Sequence, residues 1–273
     1  MNSRFYQYHK MKDTRIKNLL NSQLFFNNPK KFKDPEDCKI HPYYEGTMET
    51  WLNHYKKHPD YEHYPEFHEE NLKKIIKNYI ENGFFQYNDG LISCDRGDTY
   101  DENLPLVTCF CIEPDNTYMW REYADDHTGF CLCFNANLRE PPEAQLYTLT
   151  IDSETQTLIP IIYNVMPKTD LNLLDPNDVR IIGQRLITKN PDLVNEKEYR
   201  IMVFGKPYLK KYNKEELEGI IFGSNADSQM EAKLYNDARI IYENINFYKA
   251  YYIKDSDTVK IEPIDEDYFK FLQ

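Results

Sequence analysis

No stretch of the 273-residue sequence approaches the ~20 consecutive apolar residues that a bilayer-crossing helix needs. The opening residues Met1-Asn2-Ser3-Arg4-Phe5-Tyr6 also lack the apolar core of a secretory signal. We therefore expect a cytoplasmic protein with no membrane partner. The phosphate loop is missing, as are Gly-x-Gly-x-x-Gly and Gly-x-Ser-x-Gly, so three familiar nucleotide and hydrolase sites lose their sequence support. No internal repeat or low-complexity linker divides the chain, which reads as one domain over residues 1–273. Positive charge is scarce: 33 basic against 45 acidic residues leave a net charge of −12. That balance argues against nonspecific nucleic-acid binding.

The positive charge is also unevenly placed. Residues 1–33 hold Arg4, Lys10, Lys12, Arg15, Lys17, Lys30, Lys31 and Lys33 against the single acid Asp13, a local +7 that leaves −19 on the other 240 residues. Such a segment suits either a solvated basic face or a compact anion such as a dinucleotide. The six cysteines are too few for a secreted disulfide scaffold in a chain this long. Four of them form Cys109-Phe110-Cys111 and Cys131-Leu132-Cys133. On strands, residues two apart share a face, so neighbouring strands would let four sulfurs meet around zinc. Reduced cysteines packed in the core are the alternative.

Alternation and punctuation give a coarse layout. Strands are expected at 4–8, 24–26, 106–112, 129–134, 145–151, 158–164, 198–204, 219–223, 246–253 and 258–262. Helices are expected from Asp13, over 115–124, 171–187 and 226–236, and along the stripe Leu72, Ile75, Ile76, Tyr79 and Ile80, which ends at Gly83. Strands and helices do not alternate regularly, which excludes a doubly wound parallel sheet. The fold class is α+β, a mixed or antiparallel sheet flanked by helices, with residues 41–83 as a helical insertion. That insertion carries His41, His54, His58, His63 and His68. His54 and His58 have a metal-binding spacing, but no third ligand at a fixed position accompanies them, and they read as surface histidines.

Two segments carry residues suited to chemistry. In Met119–Phe130, helical spacing puts Trp120, Tyr123 and His127 on one face. They would wall a nucleotide pocket or form a core stripe. In Glu196-Lys197-Glu198-Tyr199-Arg200, both acids and Arg200 share a face if the strand has begun, and Ile201, Met202 and Val203 make it a covered central strand. The acids would sit at a partly desolvated strand mouth, or Glu198 and Arg200 would form a simple same-face ion pair.

Several motifs then bring a resemblance. Phe5-Tyr6-Gln7-Tyr8, Leu24-Phe25-Phe26 with Pro29, Phe32, Asp34-Pro35 and Asp37-Cys38 are similar to the opening of a bacterial domain-of-unknown-function family, number twenty-nine seventy-one. Met119-Trp120, Tyr123-Ala124, His127, Gly129-Phe130-Cys131, the Glu196–Arg200 segment and Ile220-Ile221-Phe222-Gly223 resemble its later motifs. The layout also resembles ADP-ribosyltransferases, which bind NAD in a split sheet. By that resemblance NAD is the substrate, and Glu198 and Glu196 are catalytic. Tyr8, His9, Thr108, Trp120, Tyr123, His127 and Arg200 would contact it. The sequence departs from the pattern at His9, where arginine is frequent, and at Cys109-Phe110-Cys111, which replaces a serine-rich stretch. The resemblance implies a phage-defence effector or toxin, either an ADP-ribosyltransferase that modifies a protein or nucleic-acid acceptor or an NAD glycohydrolase, with an antitoxin or defence-system partner. Two alternatives stand beside it. One is a non-catalytic module sensing a nucleotide or a phage component. The other is a metal-dependent hydrolase using Asp34, Asp37 and the Glu pair.

Overall fold

A computed structural model describes residues 4–57, 68–95, 104–139 and 146–270. Its elements are α+β: seven α-helices and strands in one large mixed sheet and several small ones among the described residues. The chain divides into two compact units. The first comprises 1–31, 105–164 and 189–273. The second comprises 32–104 and 165–188, a wider stretch than the 41–83 insertion set off in the sequence.

In chain order the strands are β1 (Arg4–His9), β2 (Gln23–Phe25), β3 (His41–Gly46), β4 (Gln86–Asn88), β5 (Leu91–Asp95), β6 (Leu106–Cys111), β7 (Phe130–Asn135), β8 (Asn137–Arg139) and β9 (Leu146–Ile151). They continue with β10 (Glu154–Pro160), β11 (Ile162–Tyr163), β12 (Asp170–Asn172), β13 (Thr188–Lys189), β14 (Glu198–Val203), β15 (Leu209–Lys211), β16 (Leu217–Phe222), β17 (Asn246–Ile253) and β18 (Thr258–Pro263). The helices are α1 (Asp13–Leu20), α2 (Met48–Lys56), α3 (Glu69–Glu81), α4 (Thr117–Glu122), α5 (Pro176–Ile187), α6 (Ser228–Ile241) and α7 (Glu266–Lys270).

The first unit is built on a ten-stranded sheet ordered β18-β17-β16-β7-β1-β6-β14-β10-β9-β8, antiparallel except for β16 beside β17. Strand period assigns its faces. Tyr6 lies opposite Cys111 and Cys133, Cys111 opposite Glu198, and Cys109 opposite Arg200, so these side chains share one face. Tyr6, Tyr8, Cys111, Cys131 and Cys133 pack there with Trp120. The other face carries Phe5, Phe110, Phe130, Phe134, Ile201 and Phe222, the larger core.

This order settles the zinc question raised by the cysteines. β1 runs between β6 and β7, which keeps the two Cys-x-Cys pairs two strand spacings apart, roughly 10 Å. Tyr6 and Tyr8 stand between the sulfurs, all six cysteines are free, and the described residues contain no metal-binding group of His, Cys, Asp or Glu.

The second unit holds a four-stranded sheet ordered β12-β3-β5-β4. Residues 41–46 form β3 where a helix was expected, and β4–β5 is a further hairpin. Its two-residue turn places Asp89 and Gly90 at φ +48° and +83°, as a type I′ turn demands. Trp51, Ile76, Phe85 and Ile92 form one small core, and Trp51 donates to the Ile92 carbonyl at 2.9 Å. Buried Arg185 donates to the carbonyls of Glu36, Pro167 and Lys39. The sheet's polar face lines a cleft of about 660 Å³ with His41, Tyr43, Glu45, Asp95 and Asp170.

Glycine is required at two places in the first unit. A Cβ on Gly129 would lie 2.0 Å from the His9 carbonyl oxygen, and one on Gly223 would lie 2.1 Å from that of His127. Exposed Gly183, inside α5, would meet nothing within 4 Å. Gly129→Ala and Gly223→Ala should therefore each destabilise the protein by about 3 kcal/mol or more, as forced backbone displacement does. Gly183→Ala should stabilise it by about 0.5–1 kcal/mol. Urea unfolding of the three variants checks both signs.

Candidate functional site

Asn190 starts the local geometry. Its side chain accepts from the Asp192 N–H, and with Pro191 next it opens a 3₁₀ turn over Pro191–Glu196. Lys197 then takes the left-handed conformation (φ +44°), and β14 begins only at Glu198. The two acids are thus not strand neighbours on one face, as their spacing suggested. Glu196 ends a turn, Glu198 opens a strand, and the left-handed residue between them sends both carboxylates to one point.

That point is Lys189. Its Nζ bonds Glu196 Oε2, and reaches Glu198 Oε2 at 2.9 Å. Tyr123 donates to Glu196 Oε1 at 2.6 Å, and Arg200 Nε donates to Glu198 Oε1 at 2.5 Å. Tyr163 accepts the Glu198 backbone N–H at 2.8 Å. Lys189, Glu196 and Glu198 are 4–6% exposed and Arg200 is 0% exposed. The same-face Glu198–Arg200 pair is therefore present, but buried rather than on the surface.

The two carboxylates differ electrostatically. Burial raises both, but Arg200 and then Lys189 overturn that for Glu198 and hold it down at about 2. For Glu196 burial prevails over Lys189 and Tyr123, and its pKa lies above the usual carboxylate value. Cys109 is pushed well up by burial and then by Glu198, so it is an unreactive thiol. Two like groups with opposite shifts are the usual basis for dividing acid and base roles.

The other sequence candidates lie as follows. Tyr8 shares the face of the network but donates to the Glu113 carbonyl at 2.6 Å and stands edge-on to Trp120. Trp120 is fully buried, with its Nε1–H on the Pro114 carbonyl at 2.9 Å, so it packs in the core. His9 and Thr108 are not brought to Glu198. They lie on the opposite face, joined through Gln7, which bonds His9 Nε2 at 2.9 Å and donates to Thr108 Oγ1 at 2.8 Å. Burial, then Arg15, lowers His9 to about 3, which keeps it neutral.

His127 reaches Trp120 by another route than helical spacing. α4 stops at Glu122, and Asp125, Asp126 and His127 follow with φ of +54°, +52° and +64°. This left-handed turn folds the imidazole back parallel to the Trp120 ring at 6.2 Å, with the Tyr252 ring centroid 4.7 Å away. Neither ring nitrogen meets a hydrogen-bond partner among the described residues, and burial lowers the pKa.

Asp34 and Asp37 belong to the second unit, apart from the Glu pair in sequence and unit alike. His54 packs against Tyr44, His41 lines the cleft, and His58 and His63 lie outside the described residues. The basic N-terminal residues disperse: Arg4 pairs with Glu218, Lys10 with Asp125, and Arg15 covers Phe25. Lys189 and Tyr163 were not singled out from the sequence, and Cys109 was read there only as a zinc ligand or core thiol. Only Asn190-Pro191, a turn signal beginning six residues before Glu196, hinted that the chain there folds back.

Residues 119–201 match the model of a family described as "Protein of unknown function (DUF2971)". The match supports the family resemblance drawn from the motifs, and its span supplies Tyr123, Tyr163, Lys189, Glu196, Glu198 and Arg200. No curated protein and no solved structure matches the chain.

Removing one partner from a buried ion pair leaves an uncompensated charge. Arg200→Met should therefore destabilise the protein by about 3–5 kcal/mol at neutral pH. Glu198 has a depressed folded pKa, so its stabilisation is full above its unfolded value near 4.5 and fades as pH falls toward 2. Denaturant unfolding of wild type and Arg200→Met from neutral pH downward should show the two curves converging with acid.

Proposed function

We propose that the chain transfers or hydrolyses the ADP-ribosyl group of NAD, with Glu198 and Glu196 as its reacting carboxylates. What supports this reading is one observation: a buried carboxylate pair in which Arg200 keeps one member ionised while the other, against a neutral phenol, takes a proton more readily. Cleavage of the nicotinamide–ribose bond sends the bonding electrons to nicotinamide and leaves oxocarbenium character on the ribose, as in glycoside cleavage. Glu198, fixed as an anion, would stabilise that charge. Glu196 would accept the proton of water or of a macromolecular nucleophile. Half-buried Tyr118, Tyr123 and Tyr163 lie around the pair and supply aromatic contact for the substrate. Tyr8 and Trp120 are committed to packing, and His9 and Thr108 lie across the sheet, so the nucleotide contacts differ from those the resemblance implied.

Near-complete burial of both carboxylates favours a second reading, a non-catalytic nucleotide-sensing module whose ion network is scaffold. The two part in one experiment. Purified protein is incubated with NAD, nicotinamide release is followed, and thermal melts are recorded with NAD and other nucleotides. The enzyme reading expects turnover, and a fall of about 10²-fold or more in Glu198→Gln. Melting shifts with nucleotides but no nicotinamide from wild type support the sensing module. Equal release by wild type and Glu198→Gln defeats the catalytic assignment.

A further inference from the structure

Each of the two carboxylates gives its Oε2 to Lys189 and its Oε1 to a partner of its own, Tyr123 for Glu196 and Arg200 for Glu198. We propose that Lys189 is the positioning residue of the pair: one buried ammonium, bonded to both carboxylates, fixes how they face each other and keeps them both charged.

Several features of the fold support this. Lysine is rarely buried without a pairing role, and Lys189 is 5% exposed. Its backbone is held as well, since its carbonyl accepts the Asn164 N–H at 3.1 Å. The 3₁₀ turn and the left-handed Lys197 then deliver the two carboxylates to a nitrogen whose place is already set. Glu196 faces Lys189, Tyr123, Glu198, Tyr118 and Tyr163, and only the first of these is a cation. Glu198 faces Arg200, Lys189, Cys109, Glu196, Tyr163 and Tyr123. Without the ammonium, two carboxylates would share a poorly solvated space, and like charges so placed force one to protonate. Glu198 still has Arg200, so the proton goes to Glu196.

The sign of the effect follows. A carboxyl whose folded pKa is raised contributes stability below its unfolded value, near 4.5, and loses it as pH rises through the folded value. Loss of Lys189 raises Glu196 further. A Lys189→Met variant is therefore penalised least near pH 5 and most near pH 8. A lysine that mattered only for packing would give the same loss at both.

The test uses the full chain, with thermal melts of wild type, Lys189→Met, Lys189→Arg and the double variant Lys189→Met/Glu196→Gln at pH 5 and pH 8. The inference expects Lys189→Met to melt several degrees lower relative to wild type at pH 8 than at pH 5. Lys189→Arg should recover most of that loss, and Glu196→Gln in the double variant should relieve it. It is overturned if the Lys189→Met loss is the same at both pH values, if Glu196→Gln brings no relief, or if neither the single nor the double variant folds. For activity the inference rests on the reading of the pair as an NAD site. There Lys189→Met should move the acid limb of nicotinamide release upward by a pH unit or more, tenfold in proton concentration, while Lys189→Arg leaves it in place. Melts that behave as expected with no NAD turnover in wild type sink the NAD reading alone and leave Lys189 its role. Turnover with an unmoved acid limb in Lys189→Met sinks the positioning role alone.

Discussion

Two carboxylates drawn out of water beside each other repel, and each carries a desolvation penalty of several kcal/mol that only close cations offset. The Glu196–Glu198 pair meets that constraint with Lys189 and Arg200, so that two negative and two positive charges close into a neutral, buried network. Much of the surrounding architecture is what this requires. The 3₁₀ turn capped by Asn190, the left-handed Lys197, the tyrosines from α4 and β11, and the central position of β14 each deliver one member. Loss of either cation would leave a buried carboxylate without its compensating charge.

A second constraint fixes α4, at whose C-terminal end Tyr123 sits. Three successive non-glycine residues in the left-handed region cost about 1–2 kcal/mol each. They persist because the turn is over-determined. The His127 N–H bonds the Trp120 carbonyl, the Asn225 N–H bonds that of His127, and the Gly223 N–H bonds that of Gly129. Gly129 and Gly223 allow backbone approaches that no side chain would permit. The strained turn thereby ties α4 to the ends of β1, β7 and β16 and fixes where the Tyr123 phenol stands beside Glu196.

Much of the sheet was legible. β1, β6, β7, β14 and β16 carry enough apolar and aromatic residues to be read directly, and α3 shows its stripe. The β4–β5 hairpin had a readable Asp89-Gly90 signal, but the flanking strands are polar and short, so periodicity was silent. β3 was hidden by its polar, aromatic composition, since one of its faces lines an open cleft. Within the site, Glu198 and Arg200 were legible because two-residue spacing is local. Lys189 was not, because a turn with no sequence period brings it in. Nor could spacing reveal that β1 separates the cysteine pairs, or that His9 and Thr108 face away from Glu198. Those facts depend on strand order, which a one-dimensional pattern does not encode.

The asymmetry between the two acids has a narrow origin. Both share the same ammonium and the same burial, so neither factor tells them apart. What differs is the holder of the other oxygen, a guanidinium for Glu198 and a phenol for Glu196. A guanidinium stays charged at any accessible pH and fixes its partner as an anion. A phenol donates one hydrogen bond and leaves the carboxyl free to exchange a proton. A second arginine in place of Tyr123 would make the pair alike, lower Glu196 and remove the asymmetry between the two acids. The chemistry open to this strand mouth is therefore decided less by the Glu-x-Glu spacing that first drew notice than by the aromatic residue delivered from α4, 73 positions earlier in the chain.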